Sequence, residues 1–166
     1  GAQFLLFPED RKYPIRMTDE IPLRWVERGV SDTFEGDAER GEYYTFQVGV
    51  YASGASVENI GSKLSDLFSP EGGVIPAKNA TCFNTRGSDW LARTLVKQVA
   101  AEHGKVRPLW FGIDIPKGMK PGTYSGKLTI LSGNTKGSDV KITINVSDRV
   151  LDDHGDSQLW RYSRLR

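Results

Sequence analysis

The stretch Gly41-Glu42-Tyr43-Tyr44-Thr45-Phe46-Gln47-Val48-Gly49-Val50-Tyr51-Ala52 decides the fold. Tyr44, Phe46, Val48, Val50 and Ala52 share one face of a two-residue repeat, and Tyr43, Thr45, Gln47, Gly49 and Tyr51 share the other. Successive side chains of a strand point to opposite sides of its sheet, so the alternation predicts a strand with one buried face and one amphipathic face. Leu109, Phe111, Ile113 and Ile115 repeat the pattern against Trp110, Gly112 and Asp114, and Pro116 closes the run.

Beyond Pro116 the pattern predicts a hairpin. Pro121-Gly122 is a turn signal, because Pro presets φ and Gly accepts positive φ at the next position. Tyr124, Gly126, Leu128 and Ile130 then share a face; Gly133-Asn134 and Gly137 mark a loop; Val140, Ile142, Ile144 and Val146 return with Lys141, Thr143 and Asn145 facing outward. Two alternating runs joined in this way predict antiparallel neighbours with one wet face. Shorter strands are expected at Phe4 to Phe7, Leu23 to Val26, Val57 to Leu64 and Thr81 to Phe83. The expectation is an all-β antiparallel sandwich, immunoglobulin-like or jelly-roll-like, with room for one short helix.

Residues 88–103 admit two readings. Leu91, Leu95 and Val99 have helical spacing, with Ser88 as an N-cap and Gly104 as a stop. Leu95 and Val96, with Val99, also suit a strand turning at His103-Gly104. Periodicity does not decide between them, and the balance leans towards β or irregular structure.

Composition sets the bounds. A chain of 166 residues fits one domain and buries roughly 70% of its unfolded surface without a disulfide or metal. The 22 basic and 21 acidic residues are mixed along it, giving a net charge of +1, with no basic stripe of the kind nucleic acid selects. Arg161, Arg164 and Arg166 are read as a solvated or partner-facing tail. No apolar run reaches the ~18 residues of a membrane span. Gly1 is read as a non-native start from which any native export signal would have been removed, so the lack of one is uninformative; periplasmic, cell-surface or secreted placement is the expectation.

Residues 1–150 are read as the sandwich and 151–166 as a connector. Asp152-Asp153-His154-Gly155-Asp156 is acidic and turn-prone, and Trp160 and Leu165 still seek a surface to bury against. Asp153, His154, Asp156, Trp160 and Leu165 are therefore expected at a domain interface. Oxygen donors at Asp152, Asp153 and Asp156 would suit a cation, but they lack the ligand spacing of a calcium loop, and an interdomain turn is the preferred reading.

No catalytic set, cofactor motif or metal-ligand spacing stands out. Cys82 with His103 or His154 would make a thiol–imidazole pair, yet no flanking sequence supports it, and an inert buried thiol is preferred. The candidates for binding are Tyr43, Tyr51 and Trp110, on the polar faces of their strands, where aromatic rings would stack on sugars. The competing reading is packing against a domain or loop. Trp25 and Trp90 fall in segments of less certain type.

Leu109-Trp110-Phe111-Gly112-Ile113-Asp114-Ile115-Pro116, followed by Lys120-Pro121-Gly122-Thr123-Tyr124-Ser125-Gly126-Lys127-Leu128-Thr129-Ile130, resembles the N-terminal β-sandwich of glycoside hydrolase family 123. Gly41-Glu42, Thr81 to Gly87 and Asp153-His154-Gly155-Asp156 are similar to strings of that group. The resemblance spans roughly residues 40 to 166. It implies a Bacteroidetes-type parent enzyme acting on N-acetylhexosamine-containing glycans, with an Asp–Glu pair on a (β/α)8 barrel beyond Arg166. This chain is then a non-catalytic accessory domain whose partner is its own catalytic domain. The alternative is a carbohydrate-binding module using exposed aromatics.

Overall fold

Phe46 lies at the centre of the molecule, wholly excluded from solvent. In this computed structural model, residues 4–10, 31–54, 56–83, 86–88, 94–96, 100–133 and 135–151 are described, with backbone alone at 86–88, 94–96 and 135–136. The strands are β1 (Phe4–Asp10), β2 (Thr33–Arg40), β3 (Tyr43–Ala52), β4 (Gly61–Leu64), β5 (Leu67–Phe68), β6 (Val74–Ile75), β7 (Ala80–Cys82), β8 (Arg86–Ser88), β9 (Thr94–Val96), β10 (Val106–Asp114), β11 (Gly122–Ser132) and β12 (Thr135–Val150). They form a four-stranded sheet, β1-β3-β10-β7, and a six-stranded sheet, β2-β12-β11-β5-β6, with β4 also paired to β11. The short β8–β9 pair stands apart.

The expected all-β sandwich is what the chain forms. Tyr44, Phe46, Val48, Val50, Leu109, Phe111 and Ile113 of one sheet face Phe34, Tyr124, Leu128, Ile130, Val140, Ile142 and Ile144 of the other, in a single hydrophobic core. Each set comes from one face of a strand, as the two-residue repeat demands. The rings of Phe34, Phe46 and Phe111 stack through the core at centroid separations of 5.0 and 5.3 Å.

Two details depart from the sequence reading. The β2–β12 pairing is parallel, so the sandwich is mixed rather than wholly antiparallel. Gly137, expected in the loop, lies within β12, and the register shifts between Ile130 and Ser132 absorb the irregularity. Within 88–103, Thr94–Val96 is strand, paired to Arg86–Ser88. The helical element among the described residues is one 3-10 turn at Ala77–Asn79. The strand expected at Leu23 to Val26 lies outside the described residues.

The chain passes from one sheet to the other at Gly41-Glu42. Gly41 adopts φ +78°, a left-handed conformation that suits glycine. Its N–H donates to the Ile115 carbonyl (2.8 Å), and the Ile115 N–H donates to the Glu42 carbonyl (2.9 Å). The Glu42 side chain turns inward, 1% exposed, and accepts the Glu39 N–H at 2.9 Å. This corner welds the start of β3 to the end of β10.

Candidate functional site

The aromatics expected to form a sugar platform lie on the outer face of the four-stranded sheet. Register places Glu9 and Trp110 on either side of Gln47. All three are buried, Trp110 at 8% exposure. The Gln47 amide donates to the Asp10 carbonyl at 2.9 Å. Tyr51 is half-buried beside Leu5, packed on Phe7 and Val106 in a small satellite cluster.

Tyr43 is half-buried too. Its ring lies across Gly112, where a Cβ would collide with the phenol, and it meets Phe83 at 6.1 Å in a tilted arrangement. Burial pushes its phenol above the ordinary tyrosine range; a hydrogen bond with Thr81 opposes this, and the Asp114 carboxylate adds to it. The three predicted rings therefore form no continuous flat row. Two are packing residues, and Tyr43 joins Phe83, Thr81 and Asp114 in a separate cluster.

Cys82 faces the core at 7% exposure. It borders a cleft of about 230 Å³ between the β4 and β7 edges, lined by Lys63, Leu64, Thr81 and Phe111 among others. His103 sits in an exposed turn, where its N–H donates to Ser56 Oγ. Among the described residues, no group of three or more His, Cys, Asp or Glu side chains is placed to hold a metal. No helix there is long and apolar enough to cross a membrane, which leaves β-barrels unaddressed.

The end of β12 is clasped to the sheet-crossing corner. The Arg40 guanidinium donates to the Asp148 carbonyl through Nη2 (2.6 Å) and Nε (3.2 Å), and the Leu151 N–H donates to the Arg40 carbonyl at 2.8 Å. A Cβ on Gly41 would meet the Leu151 carbonyl at 2.7 Å, so the close approach also needs glycine. The expected interface residues Asp153, His154, Asp156, Trp160 and Leu165 lie outside the described residues, as do Asp152, Trp25 and Trp90.

The outer face of the six-stranded sheet carries a surface that the sequence reading missed. Phe68 is 56% exposed, and Val74, its cross-strand partner, is 40% exposed. Phe68 lies opposite Ser125, Ser125 opposite Thr143, and Thr143 opposite Glu35. The Ser125 and Thr143 hydroxyls are hydrogen-bonded at 3.1 Å. The two-residue strand β5 is too short for alternation to announce it. The available signal was Leu67-Phe68 between polar neighbours, with β11 already assigned beside it.

The fold is that of a β-sandwich module. The family described as the glycoside hydrolase 123 N-terminal domain matches residues 81–132, in agreement with the resemblance of the Trp110 and Tyr124 strings. A family 123 glycoside hydrolase from Clostridium perfringens, studied for glycolipid glycan hydrolysis, is similar in fold, with a TM-score of 0.67 at 17% identity. The likeness covers 90% of this chain and 28% of that one, so the chain spans under a third of that enzyme's length. The PapD-like domain 7 of human CEP192 is a more distant likeness, with a TM-score of 0.47, 12% identity and coverage of 70% and 82%. The N-terminal domain of PorA gives 0.46, 14%, 73% and 93%. No curated protein matches the chain.

Proposed function

We propose that the chain is a non-catalytic N-terminal accessory domain of a glycoside hydrolase, packing on and supporting a (β/α)8 catalytic domain that follows Arg166. The observation that carries this reading is the family match over residues 81–132, which takes in β10 of the four-stranded sheet and β11 of the six-stranded one. The clasped end of β12 fits the role, because it anchors residue 151 to the corner where the chain crosses between the sheets. The parent is proposed to act on N-acetylhexosamine-containing glycans outside the cytoplasm. Asp153, His154, Asp156, Trp160 and Leu165 are proposed as the linking contacts.

The purified chain should not hydrolyse a 4-nitrophenyl N-acetyl-β-galactosaminide, whereas the protein translated through the same reading frame beyond Arg166 should. Robust turnover by the chain alone overturns the proposal. So does a downstream frame lacking alternating strand and helix segments.

A further inference from the structure

Lys127 and Lys141 lie directly opposite each other on β11 and β12, with their side chains on the outer face of the six-stranded sheet. Like charges so placed are unfavourable in a sheet. The Lys127 ammonium is 3.7 Å from the Asp139 carboxylate, but no carboxylate of the described residues pairs with Lys141 or with Lys63 on β4. These cations adjoin the row of Phe68, Ser125 and Thr143, with Ser125 two residues before Lys127 on the same face. The acidic side chains Glu35 and Asp37 lie at the far edge of the sheet, held by the Asn145 amide at 2.8 and 3.1 Å. The row thus runs from an exposed aromatic ring, over a low floor of two hydroxyls, to Glu35, and the Lys127 and Lys141 ammonium groups flank it on one side, two residues along β11 and β12, with Asp139 beyond them.

That sequence of groups matches the parts of a substituted sugar. A pyranose offers an apolar C–H face to a ring, hydroxyls to hydroxyls and, where it is acidic, an anion to an ammonium. We propose that this face is a glycan-binding platform: the sugar ring lies on Phe68 over Ser125 and Thr143, and a carboxylate or sulfate substituent is held by Lys141 and Lys127. The proposal goes beyond the accessory-domain role and takes no residue from the catalytic domain.

The test is titration of the isotope-labelled chain with lactose, 3′-sialyllactose and 3′-sulfolactose, followed by amide chemical shifts. At least one anionic trisaccharide or disaccharide should bind about tenfold more tightly than lactose, a difference that shrinks as salt is raised. The shifts should concentrate on residues 61–68, 123–129 and 139–145. Phe68→Ala should weaken binding about tenfold and Phe68→Trp should retain it. Lys141→Gln should abolish the preference for the anion. Because Phe68 is exposed, the alanine variant is expected to keep the wild-type melting temperature. If it does not fold, the wild-type shift map decides alone. The proposal is overturned if none of the sugars shifts these amides at about 10 mM, if lactose binds as well as its charged derivatives, or if the shifts gather at Tyr43 and Phe83. A sialylated ligand that binds where the sulfated one does not assigns the site to carboxylates, and the reverse assigns it to sulfates.

Discussion

The ring of Phe34, on the six-stranded sheet, stacks on the ring of Phe46, on the four-stranded sheet, at 5.0 Å with 18° between their planes. This contact crosses the sandwich, and Phe111 extends it from the other side of Phe46. Phe46→Ala should therefore remove contacts to both sheets at once. The loss is expected to be about 3–5 kcal/mol, as for other fully buried phenylalanines. Urea denaturation followed by tryptophan fluorescence measures it, and a loss below about 1 kcal/mol would show that the stack does not bind the sheets together.

Gly126 marks where β4 gives way to β5 along the edge of β11. A Cβ built there would meet Leu67 Cδ2 at 2.5 Å, the Asp66 carbonyl at 2.6 Å and Ser65 Oγ at 2.7 Å. Backbone cannot retreat as a flexible side chain would, so Gly126→Ala should cost about 1–3 kcal/mol by overpacking. Gly118, which faces open space, provides the control, and Gly118→Ala should be nearly neutral. Thermal melts of the two variants make the comparison.

The Arg40 clasp predicts a local effect rather than a global one. Its guanidinium satisfies the Asp148 carbonyl beside the point where Leu151 bonds to Arg40. In Arg40→Ala the last turn of β12 should open more often while the core stays closed. Hydrogen exchange reads this directly: the Leu151 amide should lose protection, and the Val48 and Ile142 amides should keep theirs.

Much of the sandwich is legible in the sequence because its long strands each bury one face completely. In β11 and β12 the buried residues fall where alternation places them, and in β3 and β10 the predicted inward face is buried together with much of the outer one. Strand β2 was missed for a physical reason. Its inward residues are Phe34, Gly36 and Ala38, and the middle one is glycine because the Tyr44 ring lies across it. A face with one large apolar side chain in three gives little period-two signal. The burial of Trp110 was left open by the sequence for a different reason. Alternation tells which side of a sheet a residue faces, but not whether that side is wet, and here Thr45, Gln47 and Glu9 are all buried on the outer face. Phe68 escaped because exposure on a two-residue strand depends on its neighbours in space, which come from β6 and β11.

Tyr43 should make the protein sensitive to alkali. Burial raises its pKa above the usual ~10, and burial with the neighbouring Glu71 raises that of Tyr124. Between the unfolded and folded pKa values the native state holds more protons than the unfolded chain, so the slope of stability against pH is negative. The contribution is whole below about pH 10 and is lost as pH rises through the folded values. Tyr43→Phe should flatten part of this decline. Denaturant midpoints at pH 8 through 11 would test it, and an unchanged slope would assign the effect to Tyr124.

Thr45 offers a substitution that should strengthen the protein. Its side chain is completely buried on the outer face of β3, opposite Gly112, and among the described residues its hydroxyl finds no hydrogen-bond partner. A buried hydroxyl without a partner forfeits its hydration and receives nothing in return, a cost of about 1–3 kcal/mol. Valine keeps the branched shape that suits a strand and replaces the hydroxyl with a methyl of similar size. Thr45→Val should therefore raise stability by about 1 kcal/mol. Thr45→Ser, which keeps the hydroxyl and deletes the methyl, should lower it. Urea midpoints of the pair separate the two contributions: the proposed orphan hydroxyl requires opposite signs, and destabilisation by both changes would mean that the Thr45 hydroxyl is satisfied after all.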